Sequence, residues 1–120
     1  MKRTITSVLV LVLTTAVVAA CGSTPPTATT TAVPEVLTIE VVGEKPVDGV
    51  AKLKVRKGDR IHFIVESDSK QAVHLHGYDI AKSAAPGEPA EFDVKATIDG
   101  GFEAELEDPG VQILQLTVEP

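Results

Sequence analysis

The sequence has one cysteine, Cys21, and one methionine, and it has no tryptophan. A single thiol can form neither an internal disulfide nor a metal site with several thiolate ligands. Aromatic residues make up only 3% of the chain, so a hydrophobic core has to be built from Val, Ile and Leu. No serine lies in a nucleophile elbow and no glycine-rich phosphate loop is present, so we expect that the protein is not an enzyme.

Positive charge is also scarce, with 11 basic against 17 acidic residues and a formal net charge of −6. Binding to nucleic acid needs a basic face that neutralises phosphates, so nucleic acid is not expected as a partner. An acidic surface is likewise repelled by anionic lipid headgroups, so attachment to a membrane has to come from another source. The length of 120 residues fits one domain with a tail.

The first 20 residues have the features of a secretory signal peptide. A basic start is followed by the mostly apolar residues 5–18 and then by Ala19 and Ala20, directly before Cys21. Small residues before a cleavage point are typical of such signals. The cysteine at this place resembles the lipobox of bacterial lipoproteins, in which cleavage occurs before the cysteine and its thiol is lipidated. The alternative, an uncleaved membrane helix, needs about 18 clean apolar residues, which this stretch does not reach.

We therefore expect three segments: a lipoprotein signal peptide at residues 1–20, a tether at residues 21–34, and a folded domain at residues 35–120. The tether is rich in Thr and Pro and uncharged up to residue 33, which is typical of a flexible linker. Lipid on Cys21 would anchor the chain to a bacterial cell membrane, with the domain on the extracytoplasmic side. A membrane or envelope protein is then the expected class of protein partner.

From residue 35 onward, apolar and polar residues alternate in short runs. Leu37, Ile39 and Val41, for example, alternate with more polar neighbours, which is the period of a half-buried strand. Turns rich in Gly, Pro and Asp separate about seven such runs, and no stretch has a sustained helical period. The sequence predicts an all-β fold, a Greek-key β-sandwich of about seven mainly antiparallel strands.

Two histidines stand out because they are separated by one residue. On a strand, His74 and His76 project from the same face, whereas Val73 and Leu75 face the core. Two neutral imidazoles on one rigid element form half of a site for Cu(II), Zn(II) or Ni(II). Oxygen ligands would have to come from other residues, and the candidates are Asp79 and Glu107. The alternative is that both histidines are solvent-facing polar residues or hydrogen-bond to a loop carbonyl.

Other polar side chains carry weaker signals. The glutamates of a late strand, Glu103, Glu105 and Glu107, lie on one face, and like charges in such a row repel. We expect a solvated face, unless the row lies beside the His74 strand, where Glu105 or Glu107 would complete a site. His62 is expected to have a structural role.

Several segments resemble the cupredoxin family. VRKGDRI at residues 55–61, followed by Phe63, looks like the early strand–turn–strand of cupredoxins, and His74 resembles their first copper ligand. The segments from Gly101 and from Leu116 look like their last two strands. The chain is similar, in particular, to small bacterial cupredoxin-like lipoproteins whose middle strand reads HxHGYD, as it does at residues 74–79.

The resemblance implies the cupredoxin fold, but the blue-copper ligands are missing. Cupredoxins of that kind take Cys, His and usually Met from the loop between the last two strands. Here residues 106–112 read LEDPGVQ and contain none of these three residue types. Blue-copper sites depend on a copper–thiolate bond, so we do not expect a blue-copper electron carrier.

Two hypotheses stay open on the sequence alone. In the first, the protein is a membrane-anchored lipoprotein that binds copper through His74 and His76, with Glu107 or Asp79 as oxygen ligands. In the second, it is a cupredoxin-like scaffold without metal that acts as an interaction or accessory module at the membrane surface.

Overall fold

The computed structural model describes residues 36–120. The signal peptide, the lipidated Cys21 and the tether at residues 21–34 lie outside the described residues and stay predictions. Within residues 36–120, no helix is long and apolar enough to cross a membrane.

The described chain is all β-structure. Nine strands follow one another: β1 (Leu37–Val42), β2 (Lys45–Pro46), β3 (Ala51–Arg56), β4 (Arg60–Ser67), β5 (Gln71–Leu75), β6 (Ile80–Ala84), β7 (Ala90–Lys95), β8 (Gly100–Leu106) and β9 (Val111–Glu119). They form a four-stranded sheet in the order β2-β1-β4-β7 and a five-stranded sheet in the order β3-β9-β8-β5-β6. The predicted β-sandwich is confirmed.

Apolar and polar residues alternate along the strands, and the apolar side chains form the core between the two sheets. In β4, Ile61, Phe63 and Val65 are fully buried, while the residues between them are more exposed. The ring of Phe63 stacks on that of Phe92, with centroids 4.6 Å apart. Apart from these two rings, the core is aliphatic and alanine-lined, as the composition requires.

Two features of the sandwich differ from the sequence prediction. The first is the number of strands, which is nine in the described residues and not about seven, and the two shortest of the strands that lack a clear alternation are β2 and β6. β2 has only two residues, too few to show a period. β6 is an edge strand whose middle three residues are exposed, so its pairing with β5, and not a pattern of buried residues, makes it a strand.

The second difference is strand direction. β1 pairs with β4 in parallel, and β3 pairs with β9 in parallel, while the other pairs are antiparallel. Parallel pairing joins strands that are distant in the sequence, and local alternation carries no information about it.

Candidate metal centre

His74 lies on β5 and His76 lies just beyond its end, and both are on the outer face of the five-stranded sheet. Val73 and Leu75 are fully buried against the core, which turns His74 and His76 outward, as predicted. β5 pairs antiparallel with β8, and His74 lies directly opposite Glu105. The row of Glu103, Glu105 and Glu107 therefore lies beside the strand of His74. This is the arrangement in which we expected the row to complete a metal site.

The two imidazoles are close neighbours. Their ring centroids are 4.4 Å apart and the ring planes are tilted by 44°. The side chain of His74 is 22% exposed and that of His76 is 39% exposed. The pair is therefore partly shielded by the sheet but open to solvent on one side.

His76 is the centre of a three-residue cluster with Glu103 and Glu105. One ligand atom from each side chain lies within 4.8 Å of the others, a spacing that can hold a metal ion. His76 Nε2 is 2.8 Å from Glu105 Oε1. The backbone fixes this arrangement, because the N–H of His76 donates to the carbonyl of Glu103 at 2.9 Å. We call these three residues the His76 cluster.

The Nε2 atom of His76 is in an unusual position. It is shielded from solvent, and despite the short distance to Glu105 it has no hydrogen-bond partner among the described residues. The contact with Glu105 is therefore electrostatic but badly aligned, since a hydrogen bond needs direction as well as distance. A buried nitrogen without a hydrogen bond is costly, and a cation between nitrogen and carboxylate would satisfy both.

His74 has different neighbours. Its Nε2 is 3.3 Å from Asp79 Oδ1, and its Nδ1 is 3.8 Å from Glu107 Oε1. The two nitrogens of an imidazole point in different directions, so one ion at His74 would meet either Asp79 or Glu107. The four predicted ligands therefore lie in two groups. Asp79 and Glu107 lie beside His74, whereas His76 lies beside Glu103 and Glu105.

Sequence reasoning missed Glu103 as a candidate ligand. It was recognised only as part of a charged row, because the register between β5 and β8 cannot be read from either strand alone. The pairing of Leu75 with Ala104 places Glu103 level with His76. Had the register been known, the period of two would have identified both Glu103 and Glu105.

The remainder of the HxHGYD segment holds the turn after β5. The Tyr78 hydroxyl donates to the Ile98 carbonyl at 3.0 Å, and the Ile98 N–H donates to the same hydroxyl at 3.4 Å. The Tyr78 ring packs edge-on against Phe102, with centroids 5.3 Å apart. These contacts hold the turn that begins at His76, directly after β5.

His62 lies elsewhere, on β4 of the other sheet. Its Nε2 is 2.8 Å from Glu91 Oε1, and the two side chains form an exposed strand-to-strand contact. This agrees with the structural role expected for it.

The residues present do not fit a blue-copper centre. The turn that follows β8 sits beside the start of β5, where the N–H of Glu107 donates to the Ala72 carbonyl at 2.9 Å. No Cys, His or Met occurs in residues 106–112. Without a thiolate in this turn, the copper–sulfur bond of such centres cannot form.

A groove of about 310 Å³ opens beside the His76 cluster. It is lined by His76, Gly101, Phe102, Glu103, Gln112 and Gln115. A larger cavity, about 400 Å³, lies on the other sheet, where Glu40, Glu66 and Asp68 are among its lining residues. No histidine lines that larger cavity, whereas His76 lines the groove.

No family model matches the sequence, and no curated protein matches it. Solved structures do match in fold. A chain of a heme-copper terminal oxidase dimer is 20% identical with a TM-score of 0.50, and the match covers 68% of this chain. This chain spans 60% of the length of that oxidase chain.

Amicyanin matches over a larger part of its own length. A variant of amicyanin in the oxidised form is 16% identical with a TM-score of 0.50, and the match covers 70% of this chain and 82% of amicyanin. A multicopper oxidase is 22% identical with a TM-score of 0.49, covering 69% of this chain and 41% of the oxidase. At an identity of 16% the likeness to amicyanin concerns the fold alone, and on this match the domain is a cupredoxin-like β-sandwich.

Proposed function

We propose that this chain is a lipid-anchored extracytoplasmic protein whose cupredoxin-like domain binds Cu(II) at the His76 cluster, on the outer face of the five-stranded sheet. His74, whose ring centroid is 4.4 Å from that of His76, lies beside this site but is not one of its three ligands. In this proposal the protein is neither an enzyme nor a blue-copper electron carrier. The observation that carries the proposal is the convergence of the His76, Glu103 and Glu105 ligand atoms within 4.8 Å.

The donor set favours a divalent transition metal. An imidazole nitrogen with two carboxylate oxygens suits Cu(II), which binds N and O ligands more tightly than the other divalent first-row metals. Thiolates and thioethers, which favour Cu(I), are absent from the cluster. A dication would also offset the repulsion between Glu103 and Glu105, which lie on one face of β8.

The membrane part of the proposal rests on the sequence. Small residues directly before Cys21 support cleavage and lipidation there, and the uncharged Thr/Pro-rich segment supports a tether. The lipid would then hold the metal site near the outer surface of the membrane, where an envelope protein is the expected partner.

Calorimetric titration of Cu(II) and Zn(II) into the soluble domain tests the metal site. Residues 34–120 are suitable because the described strands and the core lie entirely within this range. We expect 1:1 binding of Cu(II) with a dissociation constant on the order of micromolar or tighter. Metal at a hundredfold excess over that constant should add about 2.7 kcal/mol to the free energy of unfolding.

The matched pair His76→Ala and His62→Ala makes the test specific. Each histidine has Nε2 2.8 Å from a glutamate oxygen, but of the two only His76 belongs to a cluster of three ligand atoms that lie within 4.8 Å of one another among the described residues. We expect His76→Ala to abolish the binding and His62→Ala to leave it unchanged. If wild-type domain shows no saturable binding, the proposal is wrong and the alternative of a metal-free scaffold is favoured.

A further inference from the structure

We propose that the groove beside the His76 cluster binds a small carboxylate, which acts as an exogenous ligand of the bound Cu(II). This inference rests on the proposed metal site and adds to it a class of ligand. The groove is connected to the site because two of its lining residues, His76 and Glu103, are members of the cluster.

The strand register supplies the groove with amide donors. Gln115 lies directly opposite Glu103, and Gln112 lies opposite Glu105, because β9 pairs with β8 on the side away from β5. Glu103 and Glu105 therefore each have the histidine-bearing segment of β5 on one side and a glutamine of β9 on the other. The Gln112 amide donates to the Leu114 carbonyl at 3.4 Å, which leaves its second N–H for another acceptor.

The protein leaves the coordination incomplete. The cluster offers one nitrogen and two carboxylates, whereas Cu(II) with N and O ligands prefers a tetragonal set of four. The nitrogens of His74 face Asp79 and Glu107, not the cluster. A position therefore stays available to a ligand from outside, and the groove gives access to it.

Charge determines the order of binding. Without metal, Glu103, Glu105 and Glu107 form an anionic row that repels a carboxylate. The two charges of Cu(II) offset two of these glutamates, and the glutamine N–H groups then favour an anion over a neutral ligand. The carboxylate should consequently bind to the copper-loaded domain and not to the metal-free one.

Acetate is the probe for this inference. It is titrated into the Cu(II)-loaded domain in a non-coordinating buffer, and the electron paramagnetic resonance and visible absorption spectra are recorded. We expect a saturable spectral change with a dissociation constant on the order of millimolar, and no acetate binding by calorimetry to the metal-free domain. Gln115→Leu should weaken acetate binding about tenfold, the effect of losing one hydrogen bond to a charged group.

Thr117→Val is the matched control, because Thr117 is on β9 but does not line the groove. It should leave acetate binding unchanged, and both variants should keep the wild-type affinity for Cu(II). If Cu(II) binds but acetate leaves the spectra unchanged, or shifts them equally in wild type and Gln115→Leu, this inference is wrong and the metal site stands. If the domain does not bind Cu(II), both are wrong.

Discussion

The ring of Phe102 occupies the space that a side chain at Gly77 would need. A Cβ at residue 77 would lie 2.2 Å from Phe102 Cδ1 and 2.5 Å from Cε1. Gly77 also has a φ of +82°, in the left-handed region where side chains are strained. The glycine of the HxHGYD segment is thus required by packing and by backbone conformation, and both requirements act directly after His76.

Gly77→Ala should therefore destabilise the domain by about 2–4 kcal/mol, the sum of left-handed strain and overpacking. The free energy of unfolding in urea measures this. Gly87→Ala is the control, because Gly87 has a similar φ of +77° but has nothing within 4 Å of its Cβ position. It should lose only about 1–2 kcal/mol, and equal losses at both positions would show that Phe102 accommodates the methyl group.

Tyr78→Phe should remove about 1 kcal/mol from the free energy of unfolding, since its hydroxyl both donates to and accepts from the backbone of Ile98. The ring contact with Phe102 stays in this variant, so the fold should be retained. Affinity for Cu(II) should remain close to wild type, because the hydroxyl is not a member of the His76 cluster. A large loss of affinity at unchanged stability would instead identify Tyr78 as a metal ligand.

Glu105→Gln and Glu107→Gln distinguish the cluster around His76 from the ligands predicted around His74. Glu105 is 2.8 Å from His76 Nε2, whereas Glu107 is 3.8 Å from His74 Nδ1. We expect Glu105→Gln to weaken Cu(II) binding at least about tenfold, or 1.4 kcal/mol, and Glu107→Gln to have little effect. Competition with a chelator of known affinity measures both. The reverse order of effects would place the metal at His74.

Acid should destabilise the domain through its surface ion pairs. The hydrogen bond from the Arg60 guanidinium holds the pKa of Asp93 below its ordinary value of 3.8, and Lys57 lowers the pKa of Asp99 in the same way. A carboxylate with a lowered pKa stabilises the fold above its unfolded-state pKa, and this stability is lost as the pH falls through the folded-state value. The free energy of unfolding should therefore decrease as the pH falls below about 4.

Asp93→Asn should show a smaller decrease over the same pH range. Asp48→Asn, in an exposed turn, is the control and should follow the wild-type curve. A wild-type pH dependence in Asp93→Asn would falsify the assignment to the Arg60–Asp93 pair.

The sequence predicted the outward direction of the histidines because period two is a local property. Val73 and Leu75 are apolar and buried, and their neighbours have to face the other way. The β-sandwich was predictable as well, because apolar and polar residues alternate along most strands and one core can bury the apolar ones. The strand directions were not predictable, because the parallel pairs join distant segments.

The ligand set was only partly predictable for the same reason. His76 was identified from its spacing to His74, but its carboxylate neighbours depend on which residue of β8 lies opposite. A shift of two residues in this register would keep all three glutamates outward and change which of them meets His76. Asp79 was a candidate because it is close in sequence, and it is 98% exposed beside His74.

The position of β9 has a consequence for the biogenesis of the protein. This strand, formed by Val111–Glu119, lies between β3 and β8 and buries Ile113, Leu114, Leu116 and Val118. Until it has emerged from the ribosome, β3 has no partner in its sheet and the core lacks one wall. The five-stranded sheet can therefore form only after β9 has been synthesised, so the domain is expected to fold in one late step and not progressively from its first strands.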